Sequence, residues 1–136
     1  MAKIFVDTDI CLDLLSGRKP FNAIAQKLFT LADLGKIKIY VSSLPFSNID
    51  YILKSNFKQR DTRKILARFK TLVTVLPVDD KIIELSISSD FQDFEDAIQY
   101  HTAIENNLKV LLTRNLKDYK KAIIQVMNPE TFLSGF

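Results

Sequence analysis

The sequence predicts an α/β fold in three layers, a five-stranded parallel sheet covered by helices on both faces. Three observations carry this: five short apolar runs read as buried strands, helical-period segments separate them, and no hairpin signal joins neighbouring runs. Parallel neighbours need long crossovers, which the helical segments supply. The chain of 136 residues reads as one domain, 1–136, long enough for a sizeable core. No self-similarity at periods of roughly 20–50 residues suggests a solenoid.

Taken in order, residues 3–6 are apolar and end at Asp7, and Ile10, Leu14 and Leu15 then recur at helical spacing. Thr8 or Asp9 is expected to cap that helix, and Gly17-Arg18-Lys19-Pro20 to stop it. A second helix spans 22–34 on Ile24, Ala25, Leu28, Phe29 and Leu31, with Gly35 just past its end. Residues 37–41 alternate as a strand. A third helix is expected over 44–57, with Pro45 in its first turn and Phe46, Ile49, Ile52 and Leu53 on one side. The segment 59–62 introduces a fourth helix, to about 70, striped by Ile65, Leu66 and Phe69. Residues 72–76 are a β-branched strand, and Asp79 or Asp80 caps a helix carrying Ile82, Ile83, Leu85 and Ile87. A further helix follows Asp93 to about 107, strands are expected at 110–113 and 123–126, and Asn128-Pro129-Glu130 opens a terminal helical turn.

Composition excludes several classes. With 47% hydrophobic and 26% charged residues, three Gly and four Pro, the chain is globular and leaves little room for linkers. Its first residues meet acid after three apolar positions, so neither a signal peptide nor a membrane span is expected, and the expected location is the cytoplasm. One Cys and one His cannot build a zinc or Fe–S site, and Cys11 reads as a small buried residue. Net charge is only +3, but Lys54, Lys58, Arg60, Arg63, Lys64, Arg68 and Lys70 face a single acid, Asp61, between 54 and 70. Such a run either steers a polyanion or is a solvated helix face.

The opposite cluster is Asp90, Asp93, Glu95 and Asp96. Asp93 and Asp96, three apart on a helix, share a face, and close carboxylates repel unless a proton or cation lies between them. Alternatively Asp93 caps the helix and its neighbours enrich the first turn. Open α/β sheets place their functional crevice beyond the strand C-termini at the switch of strand order. If the first and fourth strands are neighbours, Asp7, Asn115 and Asp118 reach that edge together with the helix start at Asp93 and Asp96. A metal site then outweighs capping alone.

The whole chain resembles the PIN-domain nucleases, in particular their bacterial toxin-like subgroup. Its carriers are Ile4-Phe5-Val6-Asp7-Thr8-Asp9, the stretch from Ser42 to Leu53, Asp93-Phe94-Glu95-Asp96-Ala97-Ile98-Gln99, and Thr113-Arg114-Asn115-Leu116-Lys117-Asp118. The resemblance implies strand order 3-2-1-4-5 and Mg²⁺- or Mn²⁺-dependent cleavage of single-stranded RNA. It also implies an antitoxin protein and a second copy in a homodimer as partners. Asp7, Asp96 and Asp118 fall on the family's acidic positions, and Asp93, Thr113 and Asn115 on supporting ones. The chemistry agrees: phosphodiester hydrolysis needs an activated water and a neutralised developing charge, which a carboxylate-held metal supplies. Asp7 and Asp96 read as ligands, Asp118 as a ligand or outer-sphere base, and Asp93 as a group that orients them. Asn115 and Thr113 position water or phosphate. Arg114 either pairs with phosphate or with a neighbouring acid, and Lys54, Lys58 and Arg63 are candidate RNA contacts.

Two positions depart from the family's pattern. Asn48 stands where many PIN enzymes carry Glu, and Asp50, two residues on, faces elsewhere on the helix. Asp9 replaces the usual Asn after the first acid, and its extra charge is expected to offset part of that loss. The competing readings are a nucleic-acid-binding module with weak or no catalysis and, from Asp7-Thr8-Asp9, a haloacid-dehalogenase-type phosphatase. Cys11, where that family expects Thr or Val, and the helix-borne Asp93 and Asp96 argue against the phosphatase.

Overall fold

The first strand, β1 (Ala2–Val6), explains the architecture. Ile4, Phe5 and Val6 are all buried, Ile4 and Val6 in one hydrophobic cluster and Phe5 in another, so both faces of β1 are covered. A strand buried on both faces is central to its sheet. The structure, a computed structural model, describes residues 1–119 and 122–136. Along the chain follow α1 (Thr8–Ser16), α2 (Asn22–Asp33), β2 (Ile37–Ser42), α3 (Phe46–Ser55), α4 (Thr62–Lys70), β3 (Val73–Leu76), α5 (Asp80–Ile87) and α6 (Phe94–Glu105). Next come β4 (Val110–Leu112), a short 3-10 helix at Leu116–Tyr119, β5 (Gln125–Met127) and α7 (Pro129–Ser134).

The five strands are parallel in the order β3-β2-β1-β4-β5, as the resemblance implied. Ile37, Ile39, Val41 and Leu112 join Ile4 and Val6 against Leu28, Phe29, Ile49, Leu53 and Phe69 of α2, α3 and α4. On the opposite face Phe5, Leu76 and Leu111 pack with Tyr100 and Ala103 of α6. Strand order reverses between β1 and β4, where Val6 is in register with Leu112. The Asp7 amide donates to the Leu112 carbonyl at 3.0 Å, and the Thr113 amide to the Met127 carbonyl at 3.0 Å. Asp7 and Thr113 therefore leave adjacent strands at one level, at the switch point where α/β sheets bind ligands.

Three local expectations are corrected. The cap of α1 is neither Thr8 nor Asp9 but Asp7 itself, whose carboxylate accepts from the Thr8 amide. Pro45 precedes α3 as its N-cap instead of lying in its first turn. The last strand is Gln125–Met127, not 123–126, because pairing with β4 sets its register from Val110–Gln125 to Leu112–Met127. Ile123, apolar but 86% exposed, lies outside the sheet. Among the described residues no helix is long and apolar enough to cross a membrane.

Candidate acidic centre

Asp7 is 5% exposed at the end of β1. One carboxylate oxygen accepts from the Thr8 amide at 2.7 Å, and the other accepts from the Thr113 hydroxyl at 2.9 Å and the Tyr119 hydroxyl at 3.2 Å. Three donors from three segments hold the side chain in one orientation. Burial raises its pKa above the ordinary carboxylate range, and the bonds from Thr113, Thr8 and Tyr119 oppose that rise.

Opposite it, α6 presents Asp96. Because α6 feeds the parallel strand β4, its N-terminal end lies at the edge where β1 and β4 finish. Asp93 caps this helix, accepting from the Asp96 amide at 2.9 Å, so capping and site-building are one arrangement. One turn further, fully buried Gln99 donates to the Thr8 hydroxyl, tying α6 to the start of α1. The Tyr119 hydroxyl stands between the two acids, 3.2 Å from Asp7 and 3.5 Å from Asp96. Burial first, then Asp7 and Asp96, holds the phenol well above its ordinary value, so it remains a hydrogen donor. Neither Gln99 nor Tyr119 was singled out in the sequence as part of the centre. Their signals were spacing: Gln99 lies three residues beyond Asp96 on the same helix face, and Tyr119 adjoins Asp118.

The third acid, Asp9, opens α1 and accepts from the Arg114 amide at 3.2 Å and the Asn115 side-chain amide at 3.3 Å. Its other oxygen is buried with no hydrogen-bond partner among the described residues. Burial, then the charge of Asp7, pushes its pKa up to about 7. Asn115 is also fixed through its amide, which donates to the Thr113 hydroxyl at 3.1 Å. Of the two readings of Arg114, the pairing with an acid is present: its guanidinium pairs with Asp13 at 2.7 and 3.1 Å and stacks on the Phe21 ring at 3.9 Å. Asp13 is 2% exposed and needs a cation, which Arg114 supplies.

Asp96 concentrates the electrostatics. Burial, then the charges of Asp7, Asp93, Asp118 and Glu95, pushes its pKa up to about 7. Asp118, exposed on the 3-10 helix, thus lies within electrostatic reach of Asp96. A carboxyl raised in this way binds its proton more tightly in the folded than in the unfolded chain. Its favourable contribution is complete below the ordinary carboxylate range and is lost as pH rises to about 7. Asp96→Asn is therefore expected to raise the melting temperature in chelator at pH 8 by about 2–4 °C. The gain should shrink at pH 5, and equal gains at both values would contradict the repulsion.

A profile of the PIN domain matches residues 3–117. The chain belongs to the PIN-domain family. It is 26% identical over 138 residues to "Ribonuclease VapC1" of Aquifex aeolicus, covering 96% of this chain and 92% of that protein. Among solved structures it is similar to a toxin–antitoxin complex from Klebsiella pneumoniae, with TM-score 0.68, 25% identity, and coverage of 93% of this chain and 97% of that one. DNA-bound VapBC from Salmonella typhimurium gives TM-score 0.66 and 20% identity over 95% of this chain and 99% of that one, a likeness of fold.

Within this PIN fold, Asn48 is exposed in the first turn of α3, at the end of β2. Asp50 does face elsewhere: it accepts from Thr62 of α4 and pairs with Lys54 at 3.1 Å. Lys54 is thereby engaged on its own helix, while Lys58 and Arg63 are exposed where α3 passes into α4. Among the described residues, no hydrogen bond or ion pair joins these three to the acids.

The donor set suits a hard cation. Among the described residues no three acids, His or Cys are arranged to hold a metal by themselves. Magnesium-like ions, however, bind through one or two carboxylates and keep waters or phosphate oxygens for the rest. The Asp9 oxygen that has no partner among the described residues, and the mutual repulsion of Asp7 and Asp96, are what such an ion would relieve.

Proposed function

We propose that this protein is a metal-dependent endoribonuclease hydrolysing single-stranded RNA, the toxin of a toxin–antitoxin pair, acting in the cytoplasm with Mg²⁺ or Mn²⁺. The observation that carries the reading is the meeting of Asp7 and Asp96 about one phenol hydroxyl at the switch point, with Asp96 held up to about 7 by burial and then by the surrounding acids. Ligation falls to Asp7 and Asp96, with Asp118 as a further ligand or outer-sphere base. A divalent ion there would supply Lewis-acid charge and an acidified water. Asp93 fixes the first turn that carries Asp96, Thr113 and Tyr119 orient Asp7, and Asn115 positions water or a phosphate oxygen. The similarity to Ribonuclease VapC1 supports the activity, and the similarity to toxin–antitoxin complexes supports an antitoxin partner; a homodimer is proposed on the family resemblance alone. Exposed Lys58 and Arg63 remain candidates for steering the RNA backbone.

The deciding experiment incubates the purified chain with unstructured RNA in Mn²⁺, in Mg²⁺ and in chelator. Cleavage in either metal and none in chelator is expected. A second reading, binding without turnover, is favoured by one observation, the missing charge at Asn48. Salt-sensitive RNA binding with no cleavage at saturating metal would establish it. Asp9 is taken to offset that missing charge, so Asp9→Asn should weaken Mn²⁺ binding by about tenfold, on the scale of one lost supporting partner. Unchanged affinity by calorimetry would remove Asp9 from that role.

A further inference from the structure

A cavity of about 220 Å³ lies against Arg114, lined among others by Asp13, Pro20, Phe21, Ile24 and Glu130. Arg114 links it to the acidic centre. Its backbone amide donates to Asp9 while its guanidinium pairs with Asp13, and Asp9 and Asp13 are four residues apart on one face of α1. Asp13 at the cavity wall thus sits about one helical turn, roughly 5.4 Å along the axis, from Asp9. That spacing is comparable with the reach from a phosphate to the base of the same nucleotide.

We propose that this cavity is a nucleobase pocket, which receives one base beside the scissile phosphate of the RNA. The inference rests on the ribonuclease reading and gives it a positioning site. Three properties select a base over a phosphate. Local charge is balanced, Arg18 and Arg114 against Asp13 and Glu130, so no net positive field draws an anion. The walls are flat and apolar at Pro20 and Phe21, and Phe21 keeps 38% of its surface exposed although one side meets the Arg114 guanidinium. Bases stack on aromatic and guanidinium planes whatever their sequence. The volume is also below that of a typical drug-sized site, roughly 300–1,000 Å³, which suits one ring system instead of a whole nucleotide. Polar edges remain for recognition at the cavity wall, since Glu130 accepts and the Arg114 guanidinium carries N–H groups beyond the two that bond Asp13.

The test follows the aromatic resonances of the full-length chain by NMR, with Phe21 assigned by comparison with Phe21→Leu. The four nucleoside 5′-monophosphates are the probes, and ribose 5-phosphate is the control that has sugar and phosphate without a base. Phe21 is expected to shift with at least one monophosphate and to stay in place with ribose 5-phosphate. An unmoved Phe21 with all four, or an equal shift with the control, overturns the pocket. On RNA, Phe21→Ala should raise KM about 5- to 100-fold, the range for losing one stacked base, with a smaller change in kcat. Phe21→Tyr should restore KM, which a merely unfolded Phe21→Ala cannot explain. An unchanged KM in folded Phe21→Ala also overturns the proposal. RNA cleavage with an unmoved Phe21 would leave the nuclease and remove the pocket. A shifted Phe21 without cleavage would do the reverse.

Discussion

Asp96→Asn is expected to lower kcat/KM on single-stranded RNA by about 10²–10⁴-fold, the several kcal/mol that a carboxylate-held metal would contribute to charge neutralisation in the transition state. Asp96 is a cleaner probe than Asp7. Asp7 accepts three hydrogen bonds and caps α1, so its replacement mixes chemistry with structure. Among the described residues the Asp96 carboxylate accepts one long hydrogen bond, 3.5 Å from the Tyr119 hydroxyl, and Asn preserves its shape. The variant should therefore fold at least as well as the parent while losing turnover. Asp50→Asn is the matched control, because that carboxylate belongs to the α3–α4 contact through Thr62 and Lys54. Cleavage by Asp96→Asn within about threefold of the parent would dismiss Asp96 as a ligand.

Arg114→Ala is expected to destabilise the fold by about 2–4 kcal/mol, read as a lower midpoint in urea at unchanged slope. Asp13 is 2% exposed, and one of its oxygens has Arg114 as its hydrogen-bond donor at 2.7 Å. Removing one partner of a buried pair strands the other, at a cost of about 3–5 kcal/mol. The pair with Arg18 at 3.0 Å survives, which sets the expectation somewhat lower. Asp13→Leu combined with Arg114→Leu should recover much of the loss, since an apolar replacement of both charges is often neutral. A loss below about 0.5 kcal/mol in the single variant would mean that Arg18 alone satisfies Asp13.

Much of the site was legible because its chemistry coincides with local structure. Asp7 ends an apolar run, and Asp93 and Asp96 begin a helix, so their places follow from strand and helix signals. The cap at Asp93 was readable as an alternative to the site, yet the Asp96 amide it holds makes it part of the site's support. Arg114 was not decidable in this way. Nothing near it in sequence says that Asp13, about a hundred residues earlier, lies buried beside it. The same holds for Gln99 with Thr8 and for Tyr119 with Asp7, contacts made across elements. The fifth strand slipped for a related reason: apolarity favoured 123–126, but a parallel edge strand takes its register from its neighbour.

Periodicity, capping residues and the order of the acidic motifs depend on neighbours within a turn or two, and these the sequence by itself determined: the α/β class, the strand and helix order, and the edge at which the acids gather. Hydrogen-bond partners, burial and charge coupling depend on distances between segments far apart in the chain. Only the tertiary structure decided that a phenol stands between Asp7 and Asp96, that Arg114 turns to Asp13, and that Asp50 belongs to another contact.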